Sequence, residues 1–332
     1  MQSLKVGVCG VGYLGAFHAE KYAGMDGVDL VGVVDIDDAR AREVAARWQT
    51  VPYTDYRDLI GKIQAASIAV STPAHFQLAR DFLEAGVDVL IEKPMTTDLA
   101  EADRLLEIAE NNGAIIQVGH LERFNSAVTA LDGKIRSPRF IESHRLSIYK
   151  QRCNDVSVVL DLMIHDIDII LNFVRSEVRG IHAAGIPVIS GHVDIANARL
   201  EFENGCVANV TASRISMKNE RKIRLFQPDA YISVDFAHHE ITMVRMKREA
   251  CSPGVGDPAA VSAVHEDLIP GMDISKQRFS RGDALQDELR SFVNVVRRRG
   301  EPLVTGRMGR DALQIALSIM EQIQTVNHRT LG

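Results

Sequence analysis

Cysteine is scarce: Cys9, Cys153, Cys206 and Cys251 are the only four in 332 residues, and no two form the C-x-x-C pair that zinc or dithiol chemistry needs. Thiols so widely spaced suit a reducing compartment rather than a disulfide framework. Charge of one sign is lacking too, since 38 Lys and Arg stand against 44 Asp and Glu, a net charge of −6. No basic field is available to hold a nucleic-acid polymer. Long uncharged apolar runs are missing as well. The most apolar segment, 156–174, carries Asp161, His165, Asp166 and Asp168, which hydrocarbon would penalise. The first apolar stretch, Leu4 to Val11, is short and glycine-interrupted, so it reads as a strand rather than a signal peptide. Internal repeats and low-complexity tracts do not occur. These absences lead to the expectation of a cytoplasmic protein with no membrane and no nucleic-acid partner.

The length suggests two domains at about 150 residues each. From Leu4 to Gly119, apolar runs of strand length (4–10, 28–35, 66–72, 87–93, 114–119) alternate with segments of helical spacing (16–23, 38–48, 76–85, 99–111). Nearly unbroken apolar strands alternating with helices predict an α/β fold, a Rossmann-like doubly wound parallel sheet covered on both faces. After Glu122 strand-like runs follow one another at 140–149, 196–202, 207–213, 223–226, 231–236 and 241–246, with turn signals such as Glu203-Asn204-Gly205 between them. Helices are expected at 156–174, 283–299 and 310–327, and a surface loop at 252–258. The pattern predicts a C-terminal α+β domain with a large, mostly antiparallel open sheet, dividing the chain into 1–121 and 122–332.

Gly10-Val11-Gly12-Tyr13-Leu14-Gly15 follows the first strand and opens a helix, where backbone amides can approach a pyrophosphate. The next strand ends at Asp35, 20 residues after Gly15, where a carboxylate can accept the adenosine ribose hydroxyls and repel a 2′-phosphate. The cofactor expected is NAD. The third run leads into Ser71-Thr72-Pro73-Ala74-His75, a loop expected to reach the ribose or nicotinamide, though His75 at a helix start could merely decorate that terminus. The run at 87–93 ends in Glu92-Lys93-Pro94, which aims Lys93 at the crevice outside the strand ends; a solvated strand-end charge reads the same way.

Asp161 and His165 lie four residues apart, hence on one face of a helix, with Asp168 continuing the stripe at i+7. An ionisable pair in an apolar segment needs a partner or a function. Spacing leaves a structural His–Asp pair and a catalytic one equally open. No H-E-x-x-H pattern or cysteine cluster accompanies them, so no metal is expected.

Taken together, Gly10 to Gly15, Ser71-Thr72-Pro73 with His75, Glu92-Lys93-Pro94 and Asp161 with His165 resemble the glucose-fructose oxidoreductase, inositol dehydrogenase and rhizopine catabolism (Gfo/Idh/MocA) family over essentially the whole chain. The resemblance implies a Rossmann domain, oxidation of a sugar or cyclitol hydroxyl, and a homo-oligomer, dimer or tetramer, formed through the C-terminal sheet. It assigns catalysis to Lys93, Asp161 and His165, and cofactor contacts to Gly10, Gly12, Tyr13, Leu14, Gly15, Asp35, Ser71, Thr72, Pro73, His75, Glu92 and Lys93. Many members carry glycines before the D-x-x-x-H segment, whereas here it reads Asn154-Asp155-Val156-Ser157-Val158-Val159-Leu160. That wording, with Gly119-His120-Leu121-Glu122-Arg123-Phe124-Asn125, resembles the subgroup that oxidises the 3-hydroxyl of UDP-N-acetylglucosamine for a diamino sugar of lipid A. A diphosphate substrate would call for basic partners. Candidates are Arg123, Arg145, Lys150 and Arg152, with Asn125, Asp161 and His165 toward the sugar. A free-sugar or inositol dehydrogenase, and a catalytically silent dinucleotide sensor, are the alternatives.

Overall fold

Val89, Leu90 and Ile91 are completely buried in succession, which a strand achieves only where its sheet is covered on both faces. The computed structural model describes residues 3–149, 156–246, 271–280 and 282–330. Its first sheet contains β1 (Leu4–Cys9), β2 (Val28–Val34), β3 (Val51–Tyr53), β4 (Ala65–Ile68), β5 (Asp88–Glu92) and β6 (Ile116–Gly119), all parallel, in the order β3-β2-β1-β4-β5-β6. Helices α1 (Tyr13–Ala23), α2 (Asp38–Trp48), α3 (Thr72–Glu84) and α4 (Leu99–Asn112) make the crossovers. Strand order reverses between β1 and β4, and in such sheets the crevice outside the carboxyl ends at this point is where ligands bind. The pattern expectation of a parallel sheet holds; β3, with three residues, is too short to show a period.

Alternation replaces continuity in the second sheet. After a short helix α5 (Ser126–Thr129) come β7 (Phe140–Leu146), α6 (Ile164–Val174), β8 (Val178–Ile186), β9 (Ile195–Phe202), β10 (Val207–Ser213), β11 (Glu220–Gln227), β12 (Ala230–Asp235), β13 (Glu240–Met246) and β14 (Met272–Arg278). Their order is β14-β13-β12-β11-β7-β10-β9-β8, antiparallel except for the β7–β10 pair. Ile141, Ser143 and Arg145 of β7 are buried while Phe140, Glu142, His144 and Leu146 between them are not, so one face packs and the other stays open. Helix α6 packs on the buried face against β7 and β10. The expected open, mostly antiparallel sheet is present, with β8 and β14 added as its edges.

Two further helices, α7 (Ala284–Arg298) and α8 (Gly306–Thr330), end the chain. Leu289, Phe292, Val293 and Val296 give α7 a stripe at i, i+3, i+4 and i+7 that joins Val6, Val8, Tyr22 and Leu90 in the first core. The compact units are therefore Met1–Phe124 with Asp283–Gln314, and Asn125–Gly282 with Ile315–Gly332. This differs from a single break at 121/122, because an amphipathic stripe announces a buried face without naming the sheet it covers. Lys150, Arg152, Cys153, Cys251 and the loop at 252–258 lie outside the described residues.

Candidate active site

Strand β1 delivers the chain to Gly10 at φ 82°, a left-handed conformation that strains any side chain. Space excludes one too: a Cβ on Gly10 would lie 2.6 Å from the Ala69 carbonyl oxygen, and one on Gly15 would lie 1.7 Å from that of Gly10. The turn is thus drawn tight against the loop after β4. A Cβ on Gly12, in contrast, would meet nothing within 4 Å. That opening sits at the N-cap of α1, where no side chain caps the helix and no acid occupies the first turn. Uncapped amides at the positive end of a helix dipole suit an anion. The cradle fits the pyrophosphate of a dinucleotide, with Tyr13 exposed and Leu14 half-buried at its edge.

Asp35, just past β2 and 7% exposed, uses both oxygens: Oδ2 accepts from the Val11 amide and Oδ1 from the Asp37 amide, each at 3.0 Å. The carboxylate therefore ties the glycine loop to the strand end, and Arg40 Nη1 stands 3.4 Å from Oδ1. Next to it Ile36 is 96% exposed, an apolar surface beside the cradle that alternation alone did not single out.

The loops after β4 and β5 are joined by His75. Its imidazole is buried, with Nδ1 3.0 Å from the Pro94 carbonyl and Nε2 3.1 Å from that of Val70. Burial outweighs these carbonyls and lowers its pKa, so the ring is neutral and donates to one of them at a time. His75 thus clamps two strand-end loops, and the exposed or half-buried side chains left for a cofactor are Ser71, Thr72 and Pro73.

Glu92, the other expected cofactor contact of this strand end, likewise has a buried side chain. It is 8% exposed, its carboxylate fills the space a Cβ on Gly119 would take, and Oε1 is 3.2 Å from Nε2 of the fully buried His18. Neither His18 nitrogen has hydrogen-bond alignment. Nearby, Glu288 of α7 is fully buried, and neither of its oxygens has a hydrogen-bond partner among the described residues. Burial first, and the Glu92 charge second, hold its carboxyl well above the usual range. Sequence reading missed His18 and Glu288, because the Glu92 carboxylate near both of them lies on another element. Lys93, one residue beyond β5, is half-buried.

In the second unit the Ser157 hydroxyl accepts the Val159 amide at 3.2 Å and starts the helical segment. It opens with a π-helical turn over Val159–Met163 before α6 begins. Wide turns of this kind recur at functional sites. Asp161, within the turn, and His165 remain half-buried, but Asp168 is only 2% exposed. The expected stripe of three is thus a stripe of two, since the packed face of α6 takes the third.

Three candidates for a sugar nucleotide are committed inside their own units. Arg145 of β7 is 3% exposed and donates Nε and Nη2 to Oδ1 of Asp166, at 3.0 and 2.7 Å. That pairing occupies two of the donors expected to face a diphosphate. Arg123 is 4% exposed and donates Nη2 to the Leu303 carbonyl at 3.4 Å. Asn125 caps α5 by accepting the Ala127 amide at 3.0 Å. Among the described residues no group of three or more His, Cys, Asp or Glu is arranged to hold a metal, and no helix is long and apolar enough to cross a membrane.

Comparison with known proteins gives a consistent result. Residues 4–120 match the family model GFO_IDH_MocA, described as "Oxidoreductase family, NAD-binding Rossmann fold", and residues 127–233 match the GFO/IDH/MocA C-terminal domain. The chain is 33% identical to a UDP-N-acetylglucosamine 3-dehydrogenase of Acidithiobacillus ferrooxidans, over 99% of this chain and 100% of that one. A solved structure of that enzyme superposes with a TM-score of 0.88, covering 98% of this chain and 99% of the other. A scyllo-inositol 2-dehydrogenase (NAD(+)) of Bacillus subtilis is 26% identical over 91% of this chain and 89% of its own.

Proposed function

The chain belongs to the GFO/IDH/MocA family of NAD-binding oxidoreductases, and on that premise we propose that it oxidises the 3-hydroxyl of UDP-N-acetylglucosamine to a ketone. The enzyme acts on a CH–OH group and its cofactor is NAD. The observation that carries the finer reading is the 33% identity to a UDP-N-acetylglucosamine 3-dehydrogenase along both full lengths. NAD, when bound, supplies the hydride acceptor, and this chain's residues supply the rest.

Gly10, Gly12, Tyr13, Leu14 and Gly15 would hold the pyrophosphate, Asp35 the adenosine ribose, and Ser71, Thr72 and Pro73 the nicotinamide half. His165 takes the hydroxyl proton as hydride leaves the carbon, an imidazole being the side chain whose ordinary pKa suits proton transfer near neutral pH. Lys93 donates to the same oxygen and stabilises its developing negative charge. Asp161, one turn before His165, orients the imidazole or the sugar. Arg152 stays a candidate for the diphosphate, while the commitments of Arg123, Arg145 and Asn125 weigh against their direct contact.

The ketone would be the substrate of an aminotransferase making a diamino sugar for lipid A. Two buried free thiols, Cys9 and Cys206, accord with a reducing cytoplasm. The open face of the second sheet is the proposed surface for a homo-oligomer. The 26% identity to an inositol dehydrogenase sustains the runner-up, a cyclitol or free-sugar dehydrogenase. A panel of UDP-sugars, free sugars and inositols, read by NADH formation, separates the two: preference for UDP-N-acetylglucosamine supports the proposal, and turnover of inositol alone refutes it. NAD binding with no turnover on any member would favour the silent sensor.

A further inference from the structure

Asp166 follows His165 directly, in the first turn of α6, and is 1% exposed. Its partner Arg145 comes from β7, an interior strand, and is 3% exposed. Two donors of Arg145, Nε at 3.0 Å and Nη2 at 2.7 Å, converge on the single oxygen Oδ1. Oδ2 is buried with no hydrogen-bond partner among the described residues. The Phe236 ring lies 5.9 Å from the guanidinium carbon, so the cation is also flanked by an aromatic face.

Stability does not account for such a pair. Two ions withdrawn from water lose solvation that their attraction barely returns, and an apolar pair of equal volume is often as stable or more so. Here one carboxylate oxygen also forfeits its hydrogen bonds, which makes the arrangement costlier than a two-point pairing. What the pair does supply is direction. Successive residues of an α-helix lie about 100° apart around the axis, so anchoring Asp166 to a fixed strand sets where His165 projects. A rotation of about 20° would carry a side-chain tip ~6 Å from the axis through about 2 Å. The helix start is preceded by a π-helical turn over Val159–Met163, so the α-helical register begins close to Asp166, where the ion pair adds a fixed point beside the packed Ile164 and Ile167.

We infer that Arg145 and Asp166 are positioning residues, whose ion pair fixes the rotation of the first turn of α6 and thereby the direction of the His165 imidazole. The inference rests on the proposed role of His165 as the base. It assigns no contact with substrate or cofactor to either residue.

The test replaces the pair by an apolar one, Arg145→Met with Asp166→Leu, alongside each single change, Arg145→Lys and His165→Ala. Steady-state kcat, the KM for NAD, the thermal midpoint and the NMR titration of the His165 imidazole are measured for each. The single change Arg145→Met lowers the midpoint by withdrawing the cation from the buried Asp166 carboxylate, and Asp166→Leu lowers it by removing that carboxylate from the buried guanidinium. The double change returns it close to wild type, yet kcat stays about a hundredfold down, the usual effect of an ångström-scale misplacement, while the KM for NAD is unchanged. Arg145→Lys keeps the charge and loses the fork, and it lowers kcat more than the midpoint. A double variant with both wild-type midpoint and wild-type kcat overturns the inference, as does a kcat loss that merely follows the midpoint across the set. Full turnover in His165→Ala would instead overturn the base assignment. The imidazole titration, which needs no substrate, still separates the two: an unchanged titration curve in the folded double variant contradicts positioning.

Discussion

The two sheets differ in how many faces they hide, and that difference decides where each displays its chemistry. In the first sheet β4, β5 and β6 are buried at every residue, so neither face of those strands can meet a ligand. Function there is forced to the strand ends, where Gly10, Asp35, Ser71 and Lys93 all stand. In the second sheet every other residue of β7 is only half-buried, and the ionisable groups lie on faces and on a helix packed against one of them. A strand-end residue is recognisable from the run that precedes it. A face residue is recognisable only once its neighbour across the sheet or helix is known.

The largest expected effects would sharpen the contrast in activity. Lys93→Ala, at a strand end of the first sheet, and His165→Ala, on the helix of the second, should each lower kcat by roughly a hundredfold to ten-thousandfold, with NAD binding still detected by calorimetry. An effect confined to Lys93 would remove the second unit from the chemistry.

Stability gives a direct way to break the contrast. Adjacent residues of β5, Leu90 and Ile91, are both fully buried, so Leu90→Ala and Ile91→Ala should each cost about 2–5 kcal/mol by chemical denaturation. In β7 the same test should alternate: Ile141→Ala, at a fully buried position, should fall in that range of about 2–5 kcal/mol, while Glu142→Ala should stay within ~0.5 kcal/mol. Equal costs at Ile141 and Glu142 would mean that the outer face is covered.

A smaller effect concerns the buried acids. Glu288 has its pKa raised by burial and then by Glu92, so its stabilising contribution is complete below the unfolded value of about 4.3 and is lost as pH rises through the folded value. Glu288→Gln should therefore be neutral to stability near pH 4 and more stable than wild type at pH 7, gaining about 1.4 kcal/mol for each pH unit climbed between the unfolded and folded values. Melting curves at the two pH values check this. Asp194 behaves oppositely. Burial pushes its carboxyl up, but the Ser190 hydroxyl and the amides of Ile189, Ser190 and Val188 outweigh this and hold it far below the usual range. Its stabilisation is present above pH ~4 and fades as pH falls below it, so Asp194→Asn should cost less at pH 2 than at pH 7.

The same contrast explains what the amino-acid sequence discloses. The parallel sheet, its glycine cradle and Lys93 are legible because continuous apolar runs end in chemically distinctive residues. Strand β3 is too short to carry a period, while β8 and β14 escape notice because their residues are polar or glycine-interrupted. The affiliation of α7 with the first core is invisible, since its stripe would suit either sheet. Arg145 reads as a ligand for phosphate until Asp166, 21 residues away, is seen to hold it. Glu92 and His75 stand in the expected motifs, yet their side chains point inward and brace the loops that carry Lys93, Ser71 and Thr72.

Hydride removal from C3 of a UDP-linked glucosamine can be followed by isotope transfer. With UDP-N-acetylglucosamine deuterated at C3 and excess NAD, deuterium should appear in the reduced cofactor, with a 3-keto sugar nucleotide in equal amount. Reduced cofactor without deuterium, or none formed while inositol is oxidised, would contradict it.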